Sequence, residues 1–231
     1  MQHTAPRTDK KQAGFSIMEL LVAMVVMIFI SGAAATLLVS SFNVRAREDQ
    51  RSEGTSDARR ALNIISREVA NAGYQLPRGL TYVSGGVTKN VPANGLIAED
   101  CNAQAITFVT NLNAQGNFNT AGATPNFQIA GADEAIKFQF VQDGTSRFLV
   151  RRDLLTGTSL VLANRIDGVQ FNFLDAAGNV TANIATATSV NIRLWVTMRP
   201  VGKAGTAGYQ AASQVSLTSN VQLRNARLDS Y

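Results

Sequence analysis

A chain of 231 residues, 45% hydrophobic and 16% charged, is long enough for one sizeable folded domain beside a membrane segment. Its formal charge of +5 is a weak excess without clustered Lys and Arg, so no specific nucleic-acid partner is expected. Cys101 is the only cysteine and His3 the only histidine, which excludes an internal disulfide and leaves little for zinc sites or for Ser-His-Asp and Cys-His catalysis. The chain is therefore read as a non-enzyme, and no cofactor or metal is expected.

The first element is the stretch Gly14 to Val39. From Leu20 to Val39 there are twenty residues without a charge, and a helix of that length spans about 30 Å, the hydrocarbon thickness of a bilayer. A short basic leader (Arg7, Lys10, Lys11) ends at Gly14, and an acid, Glu19, sits near the start of the apolar run. A carboxylate there is costly in lipid, and intramembrane ionisable groups mark function with a specific partner. Arg45, Arg47 and Arg51 beyond the apolar run equal the leader's basic count, so charge placement leaves the membrane orientation open.

Ala13-Gly14, then Phe15-Ser16-Ile17-Met18-Glu19, then Leu20-Leu21-Val22, resembles the type III signal of the type IV pilin superfamily. The resemblance implies cleavage after Gly14 on the cytoplasmic side by a prepilin peptidase, N-methylation of Phe15 and retention of the helix. A secretory signal peptide, by contrast, is cut after its shorter apolar region and lost. It also implies a role for Glu19: the freed Phe15 amine is positive, and a neighbouring subunit's Glu19 neutralises it as helices pack into a filament. A plain signal anchor has no need of Gly-Phe-x-x-x-Glu. Loss of the leader would remove His3 with three basic residues and one acid, leaving 18 basic against 15 acidic residues. The implied location is the bacterial inner membrane, single-pass with a cytoplasmic N-terminus, and then the pilus at the cell surface.

No Pro interrupts the chain before Pro77, so one helix is expected from about Phe15 to about Ala72, with residues 15–42 as its membrane part. In its second half Ala58, Ala61, Leu62, Ile65, Val69 and Ala72 form one apolar stripe at helical spacing, which requires a partner surface. Gly54 is expected as a soft point, Gly73 as a left-handed C-terminal stop, and Arg45 to Asp57 as a solvated charged face.

From Tyr74 to Asp100 the prolines and glycines predict a loop. Ala105 to Thr110 reads as a strand, and Ile136, Phe138 and Phe140 pair with Arg147 to Arg152 as a hairpin turning at Asp143-Gly144. Between them Asn111 to Asn126, rich in Asn, Gly and Ala, predicts a long exposed loop with a disorder-prone composition. Val169, Phe171 and Phe173 alternate with polar residues, as do Val190, Ile192, Leu194, Val196 and Met198, and Gln214 to Leu223 offers a last strand. The acidic pairs Glu99-Asp100 and Asp133-Glu134 lack any calcium-loop spacing and read as loop charges, and Cys101 as a small buried or half-buried hydrophobe. The expected fold class is α+β: a leader over 1–14, a long helix over 15–73 and a mainly antiparallel β-sheet domain over 74–231.

Ile64 to Tyr74, Ile166 to Phe173, Val190 to Val196 and the closing Val221-Gln222-Leu223-Arg224-Asn225 are similar to PilW-type minor pilins and to the J-type pseudopilin of type II secretion. The closing Leu-Arg-Asn favours the PilW type. The resemblance implies a minor pilin that primes pilus assembly and sits at or near the filament tip. Its partners would be other major and minor pilins, the prepilin peptidase and N-methyltransferase, the inner-membrane assembly platform, and membrane lipid before assembly. The alternatives are the secretion pseudopilin and a tip adhesin or DNA-uptake module acting through the two loops.

Overall fold

The computed structural model describes residues 15–76, 80–84, 87–112, 117–119, 126–128 and 134–226. It opens on α1 (Ile17–Val69), 53 residues of unbroken helix. Antiparallel strands follow: β1 (Thr81–Ser84) and β2 (Val87–Asn90), β3 (Ala105–Val109), β4 (Asn117–Asn119), β5 (Asn126–Gln128), β6 (Ala135–Asp143), β7 (Ser146–Asp153), β8 (Ser159–Ala163), β9 (Gly168–Leu174), β10 (Ser189–Met198) and β11 (Ser213–Gln222). Two of the sheets are larger, in the orders β3-β6-β7-β8 and β9-β10-β11, and β1-β2 and β4-β5 are small hairpins. The architecture is α+β, one long N-terminal helix packed on antiparallel sheets, as the sequence predicts.

The chain divides into two units, residues 15–46 with Val201–Gln210, and residues 47–200 with 211–226. The first holds the apolar half of α1, the one described helix long and apolar enough to cross a membrane. Its large side chains are exposed on every face, from Phe15 at 83% to Val44 at 45%. A helix that is apolar all round needs lipid or other helices around it.

The second unit carries the core. Ala58, Ala61, Leu62, Ile65, Val69 and Ala72, the stripe read from the sequence, are all buried. They meet Ile106, Phe108, Ile136 and Phe138 from one sheet and Phe171, Ile192 and Leu194 from the other. Each fully buried Ile or Leu contributes about 1.5–3 kcal/mol relative to exposure, so this stripe holds the helix to both sheets. Alternation places Val190, Ile192, Leu194, Val196 and Met198 of β10 inward, and β10 pairs with β9 from Ser189↔Leu174 to Trp195↔Gly168 and with β11 along its whole length. Phe108 and Phe138 stack with ring centroids 6.0 Å apart, at the Ile106↔Phe138 and Phe108↔Ile136 register.

Several expectations are corrected. Gly54 is no soft point: α1 passes through it unbroken, and it is buried against Val196. Its missing side chain serves packing, since a β-carbon there would lie 2.9 Å from Val196 Cγ1. The segment Arg45 to Asp57 is not uniformly solvated, because Arg47 is buried. Glu134, expected as a loop charge, is 2% exposed, while Asp133 lies outside the described residues. The stretch Tyr74 to Asp100 contains the β1-β2 hairpin and a helical turn at Ala98–Asp100, and Asn111 to Asn126 contributes β4 and the start of β5. Residues 113–116 and 120–125 of that loop lie outside the described residues.

Candidate functional site

Gly14 lies outside the described residues, and Phe15 is the first described. The helix begins immediately after it, and Ser16 is the reason. Its hydroxyl accepts a hydrogen bond from the Met18 N–H at 3.3 Å, while its carbonyl accepts from the N–H groups of Glu19 (3.0 Å) and Leu20 (3.1 Å). A serine in this place satisfies one of the orphan donors of a helix start. Ser16-x-x-Glu19 has the spacing of a capping box, a signal that the sequence reading missed. Only the serine half is formed: among the described residues the Glu19 side chain has no hydrogen bond or ion pair. An exposed carboxylate in the first turn, where helix N–H dipoles favour negative charge, is held in place by the backbone and left open to a cation from outside.

At the other end, α1 finishes at Val69 and the chain tightens through Asn71 N–H to Glu68 O and Ala72 N–H to Val69 O, both 3.0 Å. Gly73 takes the left-handed conformation expected of it, φ 75°. Its N–H turns away from the helix to the Val109 carbonyl of β3 at 2.9 Å, so the stop is also a suture to the sheet. Asn225, in the closing Leu-Arg-Asn, donates to the Ala72 carbonyl at 2.8 Å and ties the turn after α1 to the segment after β11. Leu223 beside it is 1% exposed in the core.

Charges fix the second half of α1. Arg47, 8% exposed, donates from Nη1 to the Arg199 carbonyl at 2.7 Å and from Nη2 to the Ala211 carbonyl at 2.7 Å and Ser213 Oγ at 2.5 Å. Those acceptors flank the connection between β10 and β11, so one guanidinium clips both strand ends to the helix. Arg151 of β7 grips Glu68 through both carboxylate oxygens, at 2.9 and 3.1 Å. Arg165 pairs with Glu53, and Arg147 reaches Asp167 at 2.5 Å. The last two pairs line an open groove of about 1070 Å³ that also holds Gln50 and Met198, and they already satisfy much of its charge.

Cys101 is half-buried, with Sγ 3.3 Å from the Thr107 N–H and 3.4 Å from the Thr107 carbonyl. Burial is the main cause that pushes its thiol up from 9.0 to about 12, so the nucleophilic thiolate is suppressed at neutral pH.

Residues 9–35 match the family model described as the prokaryotic N-terminal methylation motif. The chain therefore carries that motif at the head of a long apolar helix. Among solved structures it is similar to a type IV-like pilin from Thermus thermophilus, with 10% identity over 75% of this chain and 98% of the other, and a TM-score of 0.40. A likeness of that size carries no argument. No curated protein matches the chain.

Proposed function

We propose that this chain is a structural subunit of a type IV-type filament, a minor pilin of the PilW type that joins other minor pilins in priming assembly and stays at or near the tip. The observation that carries the reading is Glu19: a carboxylate with no partner among the described residues, four positions after Phe15, inside the methylation motif and at the head of an exposed apolar helix. A prepilin peptidase and N-methyltransferase would cut after Gly14 and methylate Phe15, and the positive terminus of one subunit would meet Glu19 of the next. Pairing offsets the desolvation of both charges, and a mismatched axial position would leave each unpaired.

The test is the mass and N-terminus of the protein from its native host, with a Glu19→Ala variant scored for surface filaments. The expected outcome is a methylated Phe15 terminus and filaments reduced or lost in the variant. An intact Met1, or filaments unaffected by the variant, overturns the reading. Deletion of the whole gene separates the pilus from the J-type pseudopilin of type II secretion: loss of surface pili supports the first, loss of protein secretion with pili intact the second.

A further inference from the structure

The connection between β10 and β11 does more than join two strands. Val201 and Gln210 close its base with two backbone hydrogen bonds of 2.9 Å, and Thr206 N–H to Lys203 O (3.1 Å) and Tyr209 N–H to Thr206 O (3.2 Å) shape the tip. The result is a closed, ordered loop, and it belongs to the same unit as the apolar half of α1. Two of its glycines are pressed against the helix. A β-carbon on Gly208 would lie 2.5 Å from Ser40 Cα, and one on Gly202 would lie 2.8 Å from Asn43 Nδ2.

Ser40 is the first residue after the twenty-residue apolar run that ends at Val39. If Leu20 to Val39 fills the hydrocarbon, which rests on the reading of α1 as a membrane helix, then Ser40 to Arg45 lies at headgroup level. Its two pressed glycines meet the helix at that level, at Ser40 and Asn43. Its exposed rim, Gly202 to Ala207, is made of small residues with one charge, Lys203, and Val201–Gln210 contains no acid. Exposed Arg45 on the helix adds a second positive charge at the same height, and half-buried Tyr209 supplies the amphipathic ring favoured at membrane interfaces.

The geometry points to a lipid-contacting role for this loop: before assembly Val201–Gln210 rests on the far leaflet, with Lys203 and Arg45 against anionic phospholipid headgroups. From Ser40 back to Glu19 is about 31 Å along the helix, close to the hydrocarbon thickness. A loop seated on one surface thereby holds Glu19 at the opposite boundary, setting the depth from which a subunit is drawn.

The test uses the full chain with Cys101→Ala, carrying a nitroxide at Ala204→Cys, in vesicles of phosphatidylcholine with or without phosphatidylglycerol. Depth is read from collisions with oxygen and with a water-soluble nickel chelate. The Ala204 label is expected within about 5–10 Å of the headgroup–acyl boundary. Adding Lys203→Ala should shift the seated population toward water by about five-fold in the anionic vesicles and much less in phosphatidylcholine alone. A label at Ile30→Cys is the control. An Ala204 label as accessible as in bulk water, with Ile30 deep in the bilayer, overturns the loop proposal alone, as does a Lys203→Ala effect indifferent to lipid charge. An Ile30 label in water overturns the membrane reading as well.

Discussion

Arg47 donates a 2.7 Å hydrogen bond to the carbonyl of Arg199, a residue 152 positions away that ends the β10 side of the β10–β11 connection. The guanidinium has no carboxylate in that contact; carbonyl and hydroxyl dipoles carry the burial. Replacing Arg47 with Met would leave the Arg199 and Ala211 carbonyls without their donor, at a cost of about 3 kcal/mol. The full chain in detergent should then melt lower by roughly 6–12 °C, whereas Arg47→Lys, which keeps the charge but loses the fork, should give an intermediate value. Unchanged melting of the Met variant would show that the clip adds nothing.

At Gly54 two effects oppose each other. Alanine in a helix interior is worth about 1 kcal/mol over glycine, but the overpacking against Val196 Cγ1 costs about 1–3 kcal/mol. Packing should win, so Gly54→Ala lowers stability, and Val196→Ala in the same chain recovers part of the loss. A denaturant titration of the two single variants and the double variant measures this. Additive losses would place the cost elsewhere than the contact.

Cys101 should resist iodoacetamide at pH 8 in the folded chain and react fully in denaturant. The unfolded thiol ionises near 9.0 and the folded one near 12, so between those values the folded state keeps a proton that the unfolded state gives up. Stability contributed by this group is therefore complete below pH 9 and falls as pH rises toward 12. Alkylation at pH 8 as fast as that of a free thiol would contradict the burial.

What the sequence discloses depends on period. The stripe Ala58 to Ala72 and the inward faces of β9 and β10 are legible because one side of each element is apolar at the period of its own geometry. β8 is not legible, since Leu160 and Val161 are both exposed and Leu162 buried, which is neither alternation nor a continuous buried run. The β1-β2 hairpin is hidden by the prolines around it, although Gly85-Gly86 lies between its strands in the sequence. Arg45, Arg47 and Arg51 look alike, yet extending the buried stripe back seven residues from Gly54 lands on Arg47. Glu19 stands out in the sequence by its spacing to Phe15, while the Ser16 cap beside it needed the Ser-x-x-Glu pattern to be weighed as helix chemistry.

The buried line from Gly54 to Val69 runs about 22 Å along the helix axis. A load along the axis of that buried line meets it as shear, with every rung of the line loaded together, and not as a peel that breaks them one by one. The Arg47 clip stands near one end of that line and the Gly73 suture to β3 near the other, so the second half of α1 is attached to its sheets as a lap joint is, strong along the helix axis.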